Sequence, residues 1–330
     1  MLKEERILVT GALGCLGAWS VAKLIRENVF TIGLDVGDDA YRLKYLLSAS
    51  ELSGAKLVQG DVTDVEVLDR LVVENGISHI LHLAALQVPF CRSDPVAGAR
   101  VNVVGTTNVF EVARRRRDLV KRVVYASSVA VYGPKQYYGA GLVGHDAVKR
   151  PETHYGAYKQ VNENTGKIYW DDEGVSSICL RPHTVYGVGR DQGLTSGCSK
   201  AMLAASVGKA YHISHGGDAD FQLAEDVVET FIKCAGVDYE GASVHNLYGS
   251  RVNVVDVITA IESVAPEIKG RITYDEQAEL PFPAALDESS LVELIGELPV
   301  TLLQDGVERT VLHFSRLNAS GQIDVRRSLD

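Results

Sequence analysis

The stretch Ile7–Gly17, ILVTGALGCLG, passes from a short apolar, β-branched run into three glycines separated by two residues each, and then into a helical pattern. Each glycine has a separate physical use. Gly11 permits a tight turn, Gly14 lets the backbone approach a pyrophosphate, and Gly17 lets the following helix pack closely on the strand. A helix starting here presents free N–H groups and a partial positive charge to phosphate oxygens. The second apolar run ends Gly33-Leu34-Asp35, which places Asp35 eighteen residues beyond Gly17. A carboxylate there meets the hydroxyls of an adenosine ribose. It also repels a 2′-phosphate, and no arginine follows at once, so the expected cofactor is NAD rather than NADP. Gly11, Leu13, Gly14, Cys15, Leu16 and Gly17 form the expected cradle, with Asp35 beside it. The chain has no GxxxxGK[ST] phosphate loop of the nucleotide triphosphatase kind.

Outward from this loop the first half of the chain alternates. Ile7–Val9, Phe30–Leu34, Lys56–Val58, Ile80–Leu83, Arg122–Tyr125 and Ser177–Leu180 are short apolar runs, and segments of helical spacing separate them. Such runs read as strands buried on both faces. Strand and helix in alternation predict α/β architecture, a Rossmann-type, doubly wound parallel sheet, because right-handed crossovers need the intervening helix. After about Arg181 the pattern loosens into Gly/Asp-rich loops and helices near 195–207, 224–235, 254–264 and 302–316. The expected division is a dinucleotide-binding domain over 1–181 and a smaller C-terminal substrate-binding lobe over 182–330, partly interleaved with the main sheet. The polar tail from Asn318 reads as loose.

Composition removes several function classes. Lys and Arg number 33 against 43 Asp and Glu, a net charge of −10, which disfavours binding to a phosphate backbone. The run Arg114–Arg117 closes a helix that begins near Pro95, where cations complement the dipole, so no nucleic-acid partner is expected. No apolar run approaches the ~18 residues of a membrane span, and the charged start is unlike a signal peptide. Five cysteines, odd in number and without a CxxC pair, read as reduced thiols of a cytoplasmic protein. His79 with His82, and His212 with His215, lack convergent partners, so no metal site is expected.

The GxxGxxG spacing departs from the GxGxxG dinucleotide fingerprint. It resembles the short-chain dehydrogenase/reductase family, in particular its extended branch of NAD-dependent nucleotide-sugar epimerases and dehydratases. Other motifs fit that template in order. Tyr155 and Lys159, in YGAYK, stand four apart on one helix face. A lysine cation there favours the ionised form of a phenol that otherwise titrates near ~10, making Tyr155 a general base for a substrate hydroxyl. The fifth strand runs into VVYASSVAVYG, and Ser128, four residues before Tyr132, matches the family's hydroxyl that bonds the reacting oxygen, with Ser127 as the alternative. The expected catalytic set is Ser128, Tyr155 and Lys159.

The resemblance implies further cofactor contacts. Asp61 and Val62 match the pair at the adenine. Leu83, Ala84 and Ala85 lie where backbone meets the cofactor ribose, and Gln87 lies near both ribose and substrate. Asn102 matches a helix asparagine of the family, and His183 passes near the nicotinamide carboxamide. His82 points back into the core. Family members usually dimerise through two helices, here about 95–116 and 154–171, so a homodimer is expected.

Three departures bear on the substrate. Dehydratases of this branch carry an Asp-Glu pair where this chain has Val129 and Ala130, so dehydration is not expected. Thr184 replaces the asparagine of RxxNVYG. Ala219 stands before Asp220 and Phe221, where nucleotide-sugar enzymes place an arginine against the diphosphate. Without that cation, charge-assisted hydrogen bonds to a diphosphate are lost. The expectation is therefore reversible hydride transfer, as epimerase or dehydrogenase, at a carbinol carbon of a sugar or sugar acid that is not nucleotide-linked. Arg190 stands ready for a carboxylate, while Gln87, Ser128, Thr184 and Gln222 are the expected hydroxyl contacts. The alternatives are a nucleotide-sugar 4-epimerase and, from another class, a non-catalytic NAD-binding sensor.

Overall fold

A computed structural model of the chain describes residues 2–329. Its strands, in chain order, are β1 (Arg6–Thr10), β2 (Phe30–Asp35), β3 (Lys56–Gln59), β4 (His79–His82), β5 (Arg122–Ala126) and β6 (Ser177–Arg181), then β7 (Thr184–Tyr186), β8 (Tyr211–Ile213), β9 (Asp218–Leu223), β10 (Ala242–Asn246), β11 (Ser250–Asn253) and β12 (Ile272–Tyr274). The main sheet has the order β3-β2-β1-β4-β5-β6-β10 and is parallel throughout. Chain order reverses between β1 and β4, and a crevice opens beyond the carboxyl ends of strands at such a switch point.

Successive strand side chains point to opposite faces, and the core divides accordingly. Ile7 and Val9 of β1 join Leu81, Val124, Ile178 and Leu180 on one side. Leu8 joins Ile32, Ile80, Val123 and Tyr125 on the other. The expectation that every run is buried fails at β3, where Lys56, Leu57 and Gln59 are exposed because the strand forms the sheet edge. The glycine turn depends on contact distance. A Cβ on Gly17 would stand 1.9 Å from the Gly11 carbonyl oxygen, and one on Gly11, whose φ is +71°, would stand 2.7 Å from the Ala84 backbone.

The second half of the chain adds what periodicity does not reveal. β7, β9 and β11 form a small mixed sheet, and β8 pairs with β12. β10 crosses back and pairs with β6 along Ala242–Asn246. The helix Leu303–Ala319 packs against Gly197–Ser206 and Val254–Val264. The tail expected to be loose instead forms a short helix, Val325–Leu329. Ser328 is buried, Arg327 pairs with Asp39, and Lys200 donates to the Leu329 carbonyl. Among the described residues, no helix is long and apolar enough to cross a membrane.

The helix His154–Glu173 carries the YGAYK motif and is fastened to the sheet by a buried ion pair. Arg181, at the end of β6, is 0% exposed and donates from Nε and Nη2 to the two Glu163 oxygens at 2.7 Å each. Its Nη1 reaches Tyr132 Oη at 2.6 Å and the His145 carbonyl at 2.7 Å, and Ser127 Oγ donates to Glu163 at 2.6 Å. Removing one partner of such a pair strands a buried charge. Glu163→Ala should therefore cost about 3–5 kcal/mol in urea unfolding; a loss under about 1 kcal/mol would show that the pair does not anchor the helix.

Candidate active site

A cavity of about 630 Å³ opens at the switch point, and most of the expected residues line it. Gly11, Leu13, Gly14, Cys15, Leu16 and Gly17 form one wall, and Asp35, Asp61 and Val62 lie where β2 and β3 end. Leu83, Ala84, Ala85 and Gln87 follow β4, Ser128 follows β5, and His183 follows β6. Tyr155, Lys159 and Arg190 complete the set. The helix Cys15–Arg26 starts at Gly14 without a side-chain cap and has no acidic residue in its first turn. That bare N-terminus, with the contacts at Gly11 and Gly17 that leave no room for a Cβ, fits a pyrophosphate laid on the loop. Asp35 fixes the turn by accepting from Leu13 N at 2.9 Å and Gly37 N at 3.0 Å.

Three expected contacts lie elsewhere. Asn102 is buried and bonds Leu86 N at 3.0 Å, Leu86 O at 2.9 Å and Cys91 Sγ at 3.2 Å. It positions the Leu86–Cys91 segment rather than lining the cavity. Thr184 is fully buried, with its hydroxyl 3.0 Å from His183 Nδ1, while Val185 next to it lines the cavity. Gln222 accepts from His183 N at 2.9 Å and donates to Asp220 at 3.3 Å. Thr184 and Gln222 thus hold His183 from behind. His82 is buried between the hydroxyls of Thr10 and Thr106 at 2.7 and 2.9 Å, and burial drives it down to about 3, so it stays neutral.

The reactive groups converge. Gly156 allows the start of the helix His154–Glu173 to approach the 129–131 turn, since a Cβ there would stand 2.1 Å from the Ala130 carbonyl oxygen. Lys159 is buried, donates to the Ala126 carbonyl at 2.6 Å, and stands 5.6 Å from the Tyr155 ring centroid. Ser127 is committed to Glu163, whereas Ser128 accepts from Ala130 N at 3.2 Å and lines the cavity.

The expectation is that Lys159, together with the positive nicotinamide, brings the tyrosine into range; within the chain itself other groups act on it. Burial raises the Tyr155 phenol to about 12, opposed by hydrogen bonding with Ser128 and by the Arg190 charge. Lys159 is itself pulled down by burial to about 8. Charge for the phenol therefore comes in part from Arg190, a group sequence spacing does not connect to it.

Several lining residues escaped sequence reasoning, among them Tyr41, Arg42, Asp191, Phe282 and Arg327. The adjacency of Asp191 to Arg190 was a visible signal; the positions of Arg42 and Arg327 follow from tertiary packing alone. Arg42 and Arg327 pair with Asp191 and Asp39 at 2.6 and 2.7 Å. Among the described lining residues, Arg190 is the arginine without a carboxylate partner. It makes bonds of 3.2 Å to Gln87 Oε1 and Thr195 Oγ1, and its Nε is buried without a partner.

Behind His183, Asp220 is fully buried, and burial raises it to about 7 against the pull of Gln222 and Arg251. Its protonated form is favoured in the folded state, so its contribution to stability is lost as pH rises through about 7. Between pH 5 and 8 the wild type should lose about 2 kcal/mol relative to Asp220→Asn. Parallel urea midpoints for the two proteins across that range would refute this assignment.

Known proteins resemble this chain in sequence and in fold. Residues 7–246 match a family model described as the NAD dependent epimerase/dehydratase family. The UDP-glucose 4-epimerase of Mycolicibacterium smegmatis is 30% identical over 325 residues, covering 94% of this chain and 98% of the relative. The solved structure of MoeE5 in complex with UDP-glucuronic acid and NAD is 26% identical, with TM-score 0.76 over 94% of this chain and 99% of its own. A partial consensus L-threonine 3-dehydrogenase shares the fold, with TM-score 0.82 at 21% identity over 94% and 99% of the two chains.

Proposed function

The chain belongs to the NAD dependent epimerase/dehydratase family and is an NAD-dependent enzyme, and from that premise we propose that it moves a hydride reversibly at a carbinol carbon of a carboxylated sugar derivative that carries no nucleotide. The observation that carries this reading is Arg190, a guanidinium in the catalytic cavity without a carboxylate partner among the described residues. Arg190 is partly buried, and a charge held back from bulk water in this way is costly until an anion meets it. Ala219, where nucleotide-sugar enzymes of the family place an arginine, lies in the hydrophobic core and offers no cation.

The residues divide the work as follows. Gly11, Gly14 and Gly17 would hold the pyrophosphate of NAD and Asp35 its adenosine ribose, with Asp61 and Val62 at the adenine. When bound, NAD supplies a site that accepts and returns a hydride. Ser128 orients the substrate hydroxyl, Tyr155 takes its proton, and Lys159 would hold the cofactor ribose. Arg190 binds the carboxylate and favours the ionised Tyr155. Val129 and Ala130 are buried and carry no acid or base, which disfavours dehydration. On this reading 1–181 holds the cofactor and 182–330 covers the substrate.

A panel of free sugar acids, neutral polyols, UDP-glucose and UDP-glucuronate tests the substrate class. Sugar acids should turn over fastest. Tyr155→Phe should lower kcat about 10²–10⁴-fold without changing NAD affinity, which excludes a pure sensor. Arg190→Gln should raise KM for acids and leave neutral polyols unchanged. The relatives' names favour the second reading, a nucleotide-sugar 4-epimerase, and faster turnover of either UDP-sugar than of every free acid would establish it instead.

We place the enzyme in the cytoplasm, which the odd set of five cysteines supports, and propose that it is a homodimer. Val96 and Val104 on one helical segment and Val161 and Ile168 on another leave apolar surface at 72%, 46%, 43% and 56% exposure. Light scattering should return twice the 35.7 kDa chain mass, and Val161→Asp with Ile168→Asp should return one; a monomeric wild type would overturn this assembly.

A further inference from the structure

We propose that the segment Gly187–Thr195 is a strap across the cofactor cavity, and that Arg42 is the buckle that must open before NAD enters or leaves. The proposal rests on the reading that this cavity holds NAD. Arg42 lies in the short helix Tyr41–Leu46, which follows the turn after Asp35 at the end of β2. Its guanidinium joins segments far apart in the chain. Nη1 donates to the carbonyl of Leu13 in the glycine loop at 2.9 Å, Nε donates to the carbonyl of Gly189 at 3.0 Å, and Nη2 donates to Asp191 at 2.6 Å.

The second Asp191 oxygen accepts from Tyr41 Oη at 2.7 Å, and Trp19 Nε1, on the helix that starts at the glycine loop, donates to the Val188 carbonyl at 2.9 Å. The side chains of Arg42 and Asp191 are only 11% and 14% exposed, so solvent and salt weaken their attraction little. Leu13, Arg42, Gly189 and Asp191 all line the same cavity. One side chain therefore ties the cradle of the pyrophosphate to the strap, and a dinucleotide on the glycine loop is enclosed between two segments held together.

The strap has the backbone of a hinged element. Gly187, Gly189 and Gly193 take φ values of +131°, +83° and +99°, which other residues rarely adopt. It also carries Arg190 into the catalytic cavity, so closing the buckle positions the substrate cation and shuts the cofactor in together. A cofactor kept between turnovers suits a reaction in which the hydride is taken and returned, the requirement of an epimerase.

Rates of NADH association and release, followed by NADH fluorescence, test the strap without relying on turnover. Arg42→Met and Asp191→Asn, each checked for native thermal unfolding, should raise association and release together by about tenfold, while Kd changes less than either rate. Tyr41→Phe should give a smaller change in the same direction. Faster release with unchanged association would make Arg42 an ordinary holding contact and overturn the gate, as would two unchanged rates. Absence of any NADH binding by the wild type would instead defeat the cofactor reading itself, and the strap with it.

Discussion

The buried pair between Arg181 and Glu163 is the constraint on which the catalytic arrangement depends. Glu163 lies two turns beyond Tyr155 and one turn beyond Lys159 on the same helix, so fixing it fixes both. Arg181 belongs to the sheet, and its remaining donors reach Tyr132 and the His145 carbonyl. Ser127 bonds the same carboxylate and stands beside Ser128. One ion pair thus references the helix, the end of β5 and the end of β6 to a common point. A paired charge in this position supplies orientation more than net stability, which is what a site built from three separate elements requires.

The fold was legible where burial imposes a period. The six runs recognised as strands occur within a residue or two of expectation, and for all but the edge strand β3 the reason is that strands covered on both faces must be apolar throughout. The small sheet of β7, β9 and β11 was not legible: β7 has three residues, and its pairing with β9 joins segments more than thirty residues apart. β10 was equally hidden, since its partner β6 precedes it by a long excursion. Among site residues, those fixed by local chemistry, such as the glycine loop, Asp35 and YGAYK, could be read directly. Thr184 and Gln222 misled because type alone does not give side-chain direction. In β7 the alternation turns Thr184 inward and presents Val185 to the cavity.

The charges of the site form two regions with different balances. Around the glycine loop, Arg42 and Arg327 are each matched by an aspartate. Around Tyr155, the cations Lys159 and Arg190 have no carboxylate bonded to them among the described residues, and burial depresses the pKa of both. The first region is electrostatically complete as it stands. The second is left for the proposed substrate carboxylate to complete, since Asp191 of the neighbouring segment is already held by Arg42 and Tyr41.

The return of β10 to the main sheet also has a consequence for synthesis on the ribosome. By Arg181 the chain has made six of its seven central strands, yet β6 still presents an open edge. It stays open until Asn246 has emerged, a delay of seconds at the usual rate of chain growth. During that interval Asn246, which bonds Tyr132 and Arg181, is missing from their network. The nascent sheet is therefore vulnerable to pairing with other chains until the lobe between β6 and β10 has been made. The segment between β6 and β10 is thus an obligatory loop in the folding of the main sheet, rather than a module added after it.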